Sequence, residues 1–232
     1  MKLSIVVPAH NEEDNIGNLI DKVALILKID FELLVVNDHS SDATARIVLD
    51  KARLFGNIRL IQNNSEAGFA NTLRTGFANA SGDLILPLMA DLCDDLNTVN
   101  IMYDKINKGY DVVCGSRYIK GGARIGGSKL KGFLSSLAGW SAYYLLGIAT
   151  HDIANAFKMY RKKVIDSFNI DAKGFEISME LPVKAYYAGY KITEVPTVWH
   201  EREKGKSSFR MFNLIPNYLK LYFWAIKKRM GL

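Results

Sequence analysis

Five short apolar runs, which alternate with four stretches of helical spacing, most constrain what this chain can fold into. The runs are rich in Val, Ile and Leu and lie at residues 3–8, 31–36, 58–62, 83–89 and 110–115. The helical stretches lie at residues 12–28, 42–55, 66–80 and 96–108. Continuous apolar strands between helices are typical of a parallel sheet that is covered on both faces. The first half of the chain is therefore predicted to be an α/β unit with a mostly parallel sheet.

A different pattern follows Arg117. Residues 120–131 are rich in Gly and Lys and predict a loop, whereas residues 133–149 predict a buried or interfacial aromatic helix. The remaining predicted elements are strands at 157–160 and 192–199 and a helix at 177–188. We expect residues 1–118 and 119–208 to be two halves of one domain, followed by a basic, aromatic, amphipathic C-terminal helix at 209–232.

Composition limits the class of protein. A chain of 232 residues with 49% hydrophobic and 23% charged residues has the balance of a globular protein, which excludes disorder, collagen and coiled coil as its main content. Two cysteines, Cys93 and Cys114, are too few for a disulfide scaffold, and no His/Cys cluster has zinc-ligand spacing. The opening MKLSIVVP is typical of a strand rather than of a signal peptide, so a cytoplasmic location is expected.

Positive charge is concentrated in the second half. The chain has a net charge of +6, and residues 112–151 contain five Lys or Arg and no acid. Residues 199–232 contain eight Lys or Arg against two acids. An anionic partner, whether phosphate, nucleic acid or an anionic lipid headgroup, would explain this distribution, and so would a solvated basic surface.

Polar residues follow the predicted strands at the places where a ligand would bind. In an open parallel sheet, ligands bind beyond the carboxyl ends of the strands. Polar groups lie there at residues 8–12, 37–42, 90–95 and 115–118. Carboxylates gathered on one rim indicate a divalent cation, although Asp42, Asp94 and Asp95 are also placed to cap the helices that follow. The sequence contains no G-x-G-x-x-G, Walker-type loop or G-x-S-x-G elbow.

Several segments together resemble a known family. VVPAHNEEDNI, VVNDHSSDAT, GFANTLRTGFANASGDLILPLMADL and DVVCGSRYIKGG are similar to segments of family 2 glycosyltransferases of the GT-A fold. Within that family they resemble the dolichol-phosphate mannosyltransferases and related polyprenyl-phosphate glycosyltransferases. DIANAFKMYRKKV, GFEISMEL and EVPTVWHEREKGKSSF are similar to later segments of the same branch. The resemblance covers residues 1 to about 212 and implies a Rossmann-like, mostly parallel sheet flanked by helices, with a C-terminal extension on the acceptor side.

The resemblance implies a donor site at the strand ends. Pro8, Asn11 and Glu12 would hold the base and ribose of a nucleotide sugar, and Asp38 would contact uracil or guanine. Asp91 matches the last acid of the family's D-x-D motif and would bind Mg²⁺ or Mn²⁺ bridging the donor diphosphate. Such an ion neutralises the nucleoside diphosphate as it leaves.

Two positions depart from the family's pattern near this acid. Met89 stands where the first D-x-D acid is expected, and Cys93 stands where some members place a further polar ligand. The expected metal site therefore depends on Asp91, with Asp94 or Asp95 as candidates to support it.

The resemblance also implies an acceptor-phosphate site in the basic half. Arg117 lies in the branch's G-[ST]-R-Y segment, and Lys131 and Ser135 match its basic residue four positions before a serine. These side chains would bind the phosphate of a polyprenyl phosphate. Arg202 resembles a mobile loop residue that closes over phosphates. The implied activity is inverting transfer of a hexose from a GDP- or UDP-sugar to a polyprenyl phosphate.

Whether this site needs a base depends on the acceptor. A phosphate monoester, with a second pKa of ~6, is a dianion at neutral pH and needs none. A sugar hydroxyl would need one, and Asp152 or Glu180 is then the candidate, although Glu180 could equally be a structural partner of a basic residue. Asp152 opens the segment that lines the acceptor side in the family. We therefore count it with Asp91 and Arg117 among the expected catalytic residues, with its role open.

A lipid acceptor would be met at a membrane surface. The aromatic stretch at 133–149 and the basic tail suit an interface, or they are packing helices of the core. Neither is a terminal apolar span of ~20 residues. We therefore expect at most peripheral attachment to the inner face of the membrane, or docking on a small membrane-anchored partner subunit.

Two other functions stay open on the sequence alone. The same fold could transfer the sugar to a saccharide hydroxyl in cell-surface polysaccharide synthesis. Met89 also motivates a catalytically silent nucleotide-sugar-binding protein. Nucleic-acid binding is suggested by charge alone and is not expected.

Overall fold

A seven-stranded sheet with helices on both faces lies at the centre of the chain in a computed structural model. The structure describes residues 1–202 and 211–231, the side chains of residues 211–214 excepted. Residues 203–210 lie outside the described part. They include the end of the EVPTVWHEREKGKSSF segment and the expected start of the C-terminal helix at 209.

The strands confirm the predicted α/β class. They are β1 (Leu3–Ala9), β2 (Phe31–Asn37), β3 (Ile58–Gln62), β4 (Leu84–Pro87), β5 (Val112–Ser116), β6 (Ala123–Ile125), β7 (Lys158–Arg161), β8 (Ile192–Pro196) and β9 (Val198–His200). The large sheet has the order β3-β2-β1-β4-β7-β5-β8, and β6 pairs with β9 separately. The pairings between these strands are parallel except for those that β7 makes with β4 and β5. The sheet is therefore mostly parallel, as predicted.

Helices cover the sheet on both sides. They are α1 (Ile16–Ile26), α2 (Thr44–Leu54), α3 (Phe69–Asn79), α4 (Asn97–Asn107), α5 (Lys129–Ser141), α6 (Lys162–Ile165), α7 (Ile177–Tyr187) and α8 (Met211–Arg229). A π-helical turn over Ala142–Leu146 continues α5. One hydrophobic core contains side chains of α1, α2 and α4, and the other contains those of α3, α7 and the π-helical turn. Alternation along β1 serves both cores, because Val7 contributes to the first and Val6 to the second.

The reversed direction of β7 brings a further segment to the edge where the parallel strands end. β7 runs antiparallel to β5, with Lys158 opposite Cys114, so its first residue lies near the carboxyl end of β5. The residues before β7 therefore lie beside the loop that follows β5, and Asn155 Nδ2 donates a hydrogen bond to Gly115 O at 2.9 Å. Polar residues of this segment reach the ligand-binding edge without following a strand.

The prediction of a loop over residues 120–131 is wrong in part. β6 forms inside this segment by pairing with β9, and α5 begins at Lys129. The Ser128 hydroxyl accepts a hydrogen bond from the Lys131 N–H and caps the helix. Strand formation here depends on a partner that lies far away in sequence, so the local composition indicated a loop instead.

The predicted strand at 192–199 is divided at Thr197. The Thr197 N–H donates to Ser116 O, and its backbone oxygen accepts a hydrogen bond from the Ala123 N–H. As a result β8 extends the large sheet beside β5, whereas β9 turns away to pair with β6.

The predicted aromatic helix at 133–149 forms as α5 and the π-helical turn. It ends at Gly147, which adopts a left-handed φ of 77°. Many of its large side chains are exposed to solvent, namely Phe133, Leu137, Trp140, Tyr143, Tyr144 and Leu145. Within the two described ranges, no helix combines the length and the apolar character needed to cross a bilayer.

A glycine fixes α5 against the segment before β7. A Cβ atom at Gly139 would lie 1.8 Å from the backbone oxygen of His151 and 3.1 Å from the backbone nitrogen of Asp152. The absence of a side chain permits this approach. The helix therefore packs directly on the backbone that carries Asp152.

Gly139→Ala should lower the stability of the protein. The added methyl group would overlap a backbone oxygen, and overpacking of this kind costs about 1–3 kcal/mol. Differential scanning calorimetry should show a fall in Tm of about 2–4 °C for each kcal/mol. Gly132→Ala in the same helix is the control. Its Cβ would meet the end of the flexible Arg124 side chain, and alanine favours the helix, so Tm should hold or rise. A Gly139→Ala protein as stable as the Gly132→Ala protein would contradict this account.

Candidate active site

Three loops at one edge of the sheet have strained backbone. Among the described residues, the non-glycine residues with positive φ are Asn11 (52°), His39 (56°) and Leu92 (60°). They follow the carboxyl ends of β1, β2 and β4. Such conformations persist where the surrounding structure imposes them, and they cluster at binding sites. The edge that the sequence predicts as the ligand site is thus also the strained part of the fold.

The loops after β1 and β2 are tied to each other by hydrogen bonds. Asn11 Oδ1 accepts from the Ser41 N–H at 2.9 Å, and the Glu12 N–H donates to Thr44 Oγ1 at 2.8 Å. Pro8 lies partly buried near the end of β1. The structure therefore brings the predicted base- and ribose-binding residues into one rigid loop pair. Their contact with a nucleotide stays a prediction.

Glu12 lies within electrostatic reach of the site's other charges. Its Oε2 accepts a hydrogen bond from Asn15 Nδ2 at 2.7 Å. Burial raises the pKa of Glu12, the Asn15 hydrogen bond and the Arg202 charge lower it in part, and the negative charge of Asp91 raises it further. Glu12 thus connects the loop after β1 electrostatically to the loop after β4.

Asp38 is buried and supports the start of α3. Its Oδ1 accepts from Asn63 Nδ2 at 2.7 Å, and its Oδ2 accepts from the Gly68 N–H at 2.9 Å. These bonds give the carboxylate a structural role in the loop before α3. The predicted contact of Asp38 with a nucleobase is not tested by them.

Asp91 follows β4 and is paired with a cation. Its Oδ2 is 2.6 Å from Arg202 Nη2, and its side chain is 9% exposed. Its Oδ1 accepts a hydrogen bond from the Cys93 N–H at 3.3 Å. The ion pair holds Arg202, which follows β9, against the loop after β4. Arg202 is predicted to bind phosphate and Asp91 to bind a metal ion, and the two side chains meet in the structure.

Met89 and Cys93, two residues before and after Asp91, do not add a second metal ligand. Met89 lines the site with a thioether, which is a poor ligand for Mg²⁺. Cys93 is buried with its Sγ 3.7 Å from the Asp91 backbone oxygen, and burial raises the pKa of this thiol. Residues 1–202 and 211–231 contain no group of three or more His, Cys, Asp or Glu that could hold a metal. The site fits a divalent ion that arrives with its diphosphate, because Mg²⁺ is usually bound by one or two carboxylates plus substrate phosphates.

The two acids that follow Cys93 have different surroundings. Asp95 Oδ1 accepts a hydrogen bond from the Asn97 N–H at 3.0 Å and supports the start of α4. This is the helix-capping role that the sequence allowed. Asp94 instead lines the site, and its carboxylate forms no hydrogen bond with the described residues. Burial raises the pKa of Asp94 to about 7, and the negative charge of Asp91 adds to the increase.

A buried ion pair holds the cation that follows β5. Arg117 Nε and Nη2 donate to the two carboxylate oxygens of Asp152 at 2.6 and 2.8 Å, and the Arg117 N–H donates at 3.0 Å. Asp152 is fully buried, and the Arg117 side chain is 12% exposed. Burial disfavours the charged guanidinium, but the charge and hydrogen bonds of Asp152 outweigh this effect and raise the pKa of Arg117. Arg117 is therefore a fixed cation.

α5 brings the other predicted phosphate-binding residues to Arg117. Arg117 Nη2 donates to Ser135 Oγ at 3.2 Å, and Lys131, one turn earlier on the helix, lines the same cavity. The Tyr118 hydroxyl donates to Gly132 O at 3.1 Å and ties the loop after β5 to this helix. The structure thus places Arg117, Lys131 and Ser135 together, as the sequence predicted.

Arg124 is a further cation of the site, and no local sequence pattern predicted its role there. Arg124 lies in β6, its guanidinium carbon is 4.9 Å from the centre of the Trp199 ring, and Nη1 donates to Ser128 O at 2.7 Å. Both Arg124 and Trp199 line the cavity. They meet because β6 pairs with β9, and that pairing could not be predicted from local composition.

These groups surround a cavity of about 570 Å³. Its charged lining residues are Asp91, Asp94, Arg117, Arg124, Lys131, Glu201 and Arg202. Its lining from α5 and α8 is largely apolar and includes Leu134, Ala138, Ile215, Tyr218, Leu219 and Tyr222. Phe69 and Phe175 stack in its wall with ring centres 4.4 Å apart. The cavity therefore offers a cationic place for an anion beside an apolar wall.

The carboxylates considered as a base are engaged elsewhere. Both oxygens of Glu180 accept hydrogen bonds from backbone N–H groups at 2.8 Å, and Lys184 Nζ lies 2.6 Å from Oε1. This is the structural role that the sequence left open. Asp152 is buried beneath Arg117 and does not line the cavity. Its geometry is that of a positioning residue for Arg117 rather than of a base in contact with an acceptor.

Buried Lys158 holds the segment that carries Asp152. Its Nζ donates to the backbone oxygens of Ile153, Asn155 and Ser178. Burial lowers the pKa of Lys158. The lysine joins the segment before β7 to α7. A single lysine at the start of a strand carries no sequence signal of such a role.

The sequence profile of Glycosyl transferase family 2 matches residues 4–168. The match covers most of the chain and includes Asp91, Arg117, Lys131, Ser135 and Asp152. The chain therefore belongs to glycosyl transferase family 2, which confirms the resemblance drawn from the sequence segments.

Two relatives match 97% of the chain. It is 28% identical to dolichol-phosphate mannosyltransferase of Pyrococcus furiosus and 26% identical to polyprenol monophosphomannose synthase of Mycolicibacterium smegmatis. The chain spans 64% of the length of the first and 88% of the length of the second. The similarity to this branch of the family thus extends over both halves of the chain.

Solved structures share the fold. Glucosyl-3-phosphoglycerate synthase from Mycobacterium tuberculosis, in complex with Mn²⁺, UDP and glucosyl-3-phosphoglycerate, matches with a TM-score of 0.69 at 17% identity. The same protein with Mg²⁺ and UDP matches with a TM-score of 0.70 at 17% identity. Each match covers 100% of this chain and 80% of the other. The predicted GT-A fold is confirmed.

Asp152→Asn should weaken the phosphate binding that the resemblance predicts at Arg117. The amide keeps the shape of the side chain but removes the charge that orients the guanidinium, and charge-assisted hydrogen bonds contribute about 1.5–3 kcal/mol each. Isothermal titration with a short-chain prenyl monophosphate should show affinity reduced by about tenfold or more. Binding of UDP and GDP should stay unchanged.

Glu180→Gln is the matched control for that substitution. It also neutralises a buried carboxylate, but Glu180 does not line the cavity. It should lower Tm and leave prenyl phosphate binding intact. Wild-type affinity in the Asp152→Asn protein would contradict the positioning role.

Proposed function

We propose that this chain is an inverting glycosyltransferase that moves a hexose from a GDP- or UDP-sugar to a polyprenyl phosphate at a membrane surface. The cavity is the observation that supports this most directly, because it places Arg117 beside an apolar wall formed by α5 and α8. A phosphate attached to an aliphatic chain needs both surfaces. The names of the two relatives, with dolichol phosphate in one and polyprenol in the other, favour the same class of acceptor.

The acceptor phosphate would bind at Arg117. Asp152 holds Nε and Nη2, and Nη1 forms no hydrogen bond with the described residues, which leaves donor capacity for a phosphate oxygen. Ser135 and Lys131 add polar groups from α5. The first isoprenyl units would then lie along the apolar lining from α5 and α8.

The reaction would be a single displacement at the anomeric carbon. An acceptor phosphate oxygen forms the new bond to that carbon as the bond to the nucleoside diphosphate oxygen breaks, and the configuration inverts. With a second pKa of ~6, the acceptor phosphate carries no proton that must be removed at neutral pH. No general base is therefore required, which agrees with the finding that the carboxylates of Asp152 and Glu180 are engaged in other interactions. The cationic side chains would serve to orient two anionic reactants.

The nucleotide would bind along the loops after β1 and β2, which carry Pro8, Asn11, Glu12 and Asp38. Asp91 would hold a Mg²⁺ or Mn²⁺ bound to the diphosphate, as structures of one protein of the same fold contain either ion together with UDP. Such an ion, when bound, neutralises the charge that develops on the leaving diphosphate. Arg202, which is paired with Asp91, would contact the same phosphates.

A transfer assay with paired acceptors tests this proposal. Purified protein should transfer labelled sugar from GDP-mannose, UDP-glucose or UDP-N-acetylglucosamine to a polyprenyl phosphate, and it should not use the matching polyprenol. Arg117→Gln should lower kcat/KM for the lipid phosphate by about 100-fold, because a preorganised cation at the reacting phosphate is lost. The exposed Arg53→Gln variant should match the wild type.

Other outcomes of this assay favour the alternative functions. Transfer to an oligosaccharide but not to the lipid phosphate would favour the saccharide-acceptor enzyme. Donor binding without transfer to any acceptor would favour the silent nucleotide-sugar-binding protein.

We also propose that α5, the π-helical turn and α8 form a membrane-binding surface. Its exposed apolar members include Phe133, Tyr144, Leu145, Leu219 and Phe223. Exposed basic residues lie on the same elements, namely Lys129, Lys220, Lys227, Lys228 and Arg229. Exposed aromatic and aliphatic side chains together with lysines suit an anionic lipid surface. The apolar part of the cavity lies between these helices, so a lipid acceptor would enter from this side.

Vesicle co-sedimentation tests the membrane-binding surface. The wild type should bind vesicles that contain phosphatidylglycerol and should bind less at high salt, since surface electrostatics are screened. A Phe133→Ser/Leu145→Ser double variant should bind more weakly, because each side chain is 63% exposed and would insert. Leu25→Ser/Leu54→Ser, with exposures of 81% and 75% on other helices, is the control and should bind normally. If the wild type does not bind anionic vesicles, the result would favour docking on a membrane-anchored subunit instead.

A further inference from the structure

We propose that Asp94 is the second carboxylate that holds the divalent ion of the donor, in place of the acid that Met89 replaces. This inference rests on the proposed function, because the ion would arrive with a nucleoside diphosphate. It assigns a metal-binding role to a residue outside the D-x-D positions.

The first step is that one carboxylate is in place, whereas the position expected for a second acid carries Met89. The Asp91 side chain is 9% exposed, and its Oδ2 lies 2.6 Å from Nη2 of the Arg202 guanidinium. A metal ion bound to Asp91 would replace this guanidinium as the positive partner of the carboxylate. Mg²⁺ and Mn²⁺ prefer oxygen ligands, and Met89 offers a thioether at the position of the missing acid.

The second step excludes three nearby candidates, namely Cys93, Asp95 and Glu201. The Cys93 thiol is buried against the Asp91 backbone oxygen. Asp95 accepts the Asn97 N–H at the start of α4. Glu201 Oε2 accepts the Gly127 N–H at 2.9 Å and so serves the turn before α5.

The third step is that Asp94 has the required placement. It lines the same cavity as Asp91, and its carboxylate has no hydrogen-bond partner among residues 1–202 and 211–231. The two carboxylates lie within electrostatic reach of each other. Asp94 is also within electrostatic reach of Arg117, the cation proposed for the acceptor phosphate.

The fourth step is that the backbone holds Asp94 rigidly. Leu92 adopts a left-handed φ of 60°, which turns the chain sharply between Asp91 and Asp94. Beyond the turn, the Asp94 backbone forms an antiparallel bridge with Trp199, and Cys93 O accepts the His200 N–H at 2.9 Å. A ligand held on both sides of its position is suited to metal binding, since affinity rises with the rigidity of the site.

Mn²⁺ binding in the presence of UDP, and separately of GDP, tests this assignment. Bound Mn²⁺ is measured by electron paramagnetic resonance on the full chain, without any turnover. Asp94→Asn should weaken Mn²⁺ binding by about tenfold or more, because a charged ligand is lost. Asp95→Asn is the matched control, and it should bind Mn²⁺ like the wild type. Equal affinity in Asp94→Asn and the wild type would overturn the proposal.

A second variant separates metal binding from a general effect on folding. Met89→Asp, introduced into the Asp94→Asn protein, returns a carboxylate to the first D-x-D position and should restore most of the lost affinity. If Met89→Asp restored none of the Mn²⁺ affinity lost in Asp94→Asn, the proposal that Asp94 substitutes for the acid missing at position 89 would be overturned. Melting curves of all variants, recorded without metal, should agree with that of the wild type within a few degrees.

The transfer assay distinguishes failure of this inference from failure of the proposed function. Sugar transfer to polyprenyl phosphate that is unchanged in EDTA would overturn the metal role and leave the function standing. Mn²⁺ binding that depends on Asp94, without transfer to any acceptor, would remove the function and support the metal site. An Asp94→Asn protein that binds Mn²⁺ normally but loses turnover would assign Asp94 a different role and overturn the proposal.

Discussion

The ion pair between Arg117 and Asp152 is the interaction on which the two halves of the site depend. Three hydrogen bonds from Arg117 join the end of β5 to the segment that precedes β7. Removing one partner would leave a buried charge without compensation, which typically costs about 3–5 kcal/mol. Because α5 packs through Gly139 on the backbone next to Asp152, the same pair also fixes the helix that carries Lys131 and Ser135.

The cavity gathers side chains of both charges in one place. Four cationic side chains and three carboxylates line it, and most of them lie in loops between strands and helices. Asp152 compensates Arg117 and Arg202 compensates Asp91, whereas the carboxylate of Asp94 has no such partner within the described residues. Such a lining supports the proposal of anionic substrates with an accompanying cation, and the proposal agrees with membership of glycosyl transferase family 2.

Local sequence patterns were sufficient for the first half of the fold and for the edge that carries the site. The apolar runs and helical stretches are local, so β1 to β5 and α1 to α4 could be predicted with small errors at their ends. β6 could not be, because it exists through its pairing with β9, and Arg124 and Trp199 meet only as a result. The structural role of Asp152 was also hidden. A residue that precedes a strand reaches this edge only when the strand runs in reverse, and the direction of β7 is set by contacts distant in sequence.

The left-handed backbone at Asn11, His39 and Leu92 has a consequence for ligand affinity. None of these residues favours that conformation by itself as glycine does, so the rest of the fold must hold the three loops in place. Their conformational entropy is therefore lost during folding, before any ligand arrives. A ligand that meets preorganised loops binds without ordering them, and more of its contact energy remains as affinity.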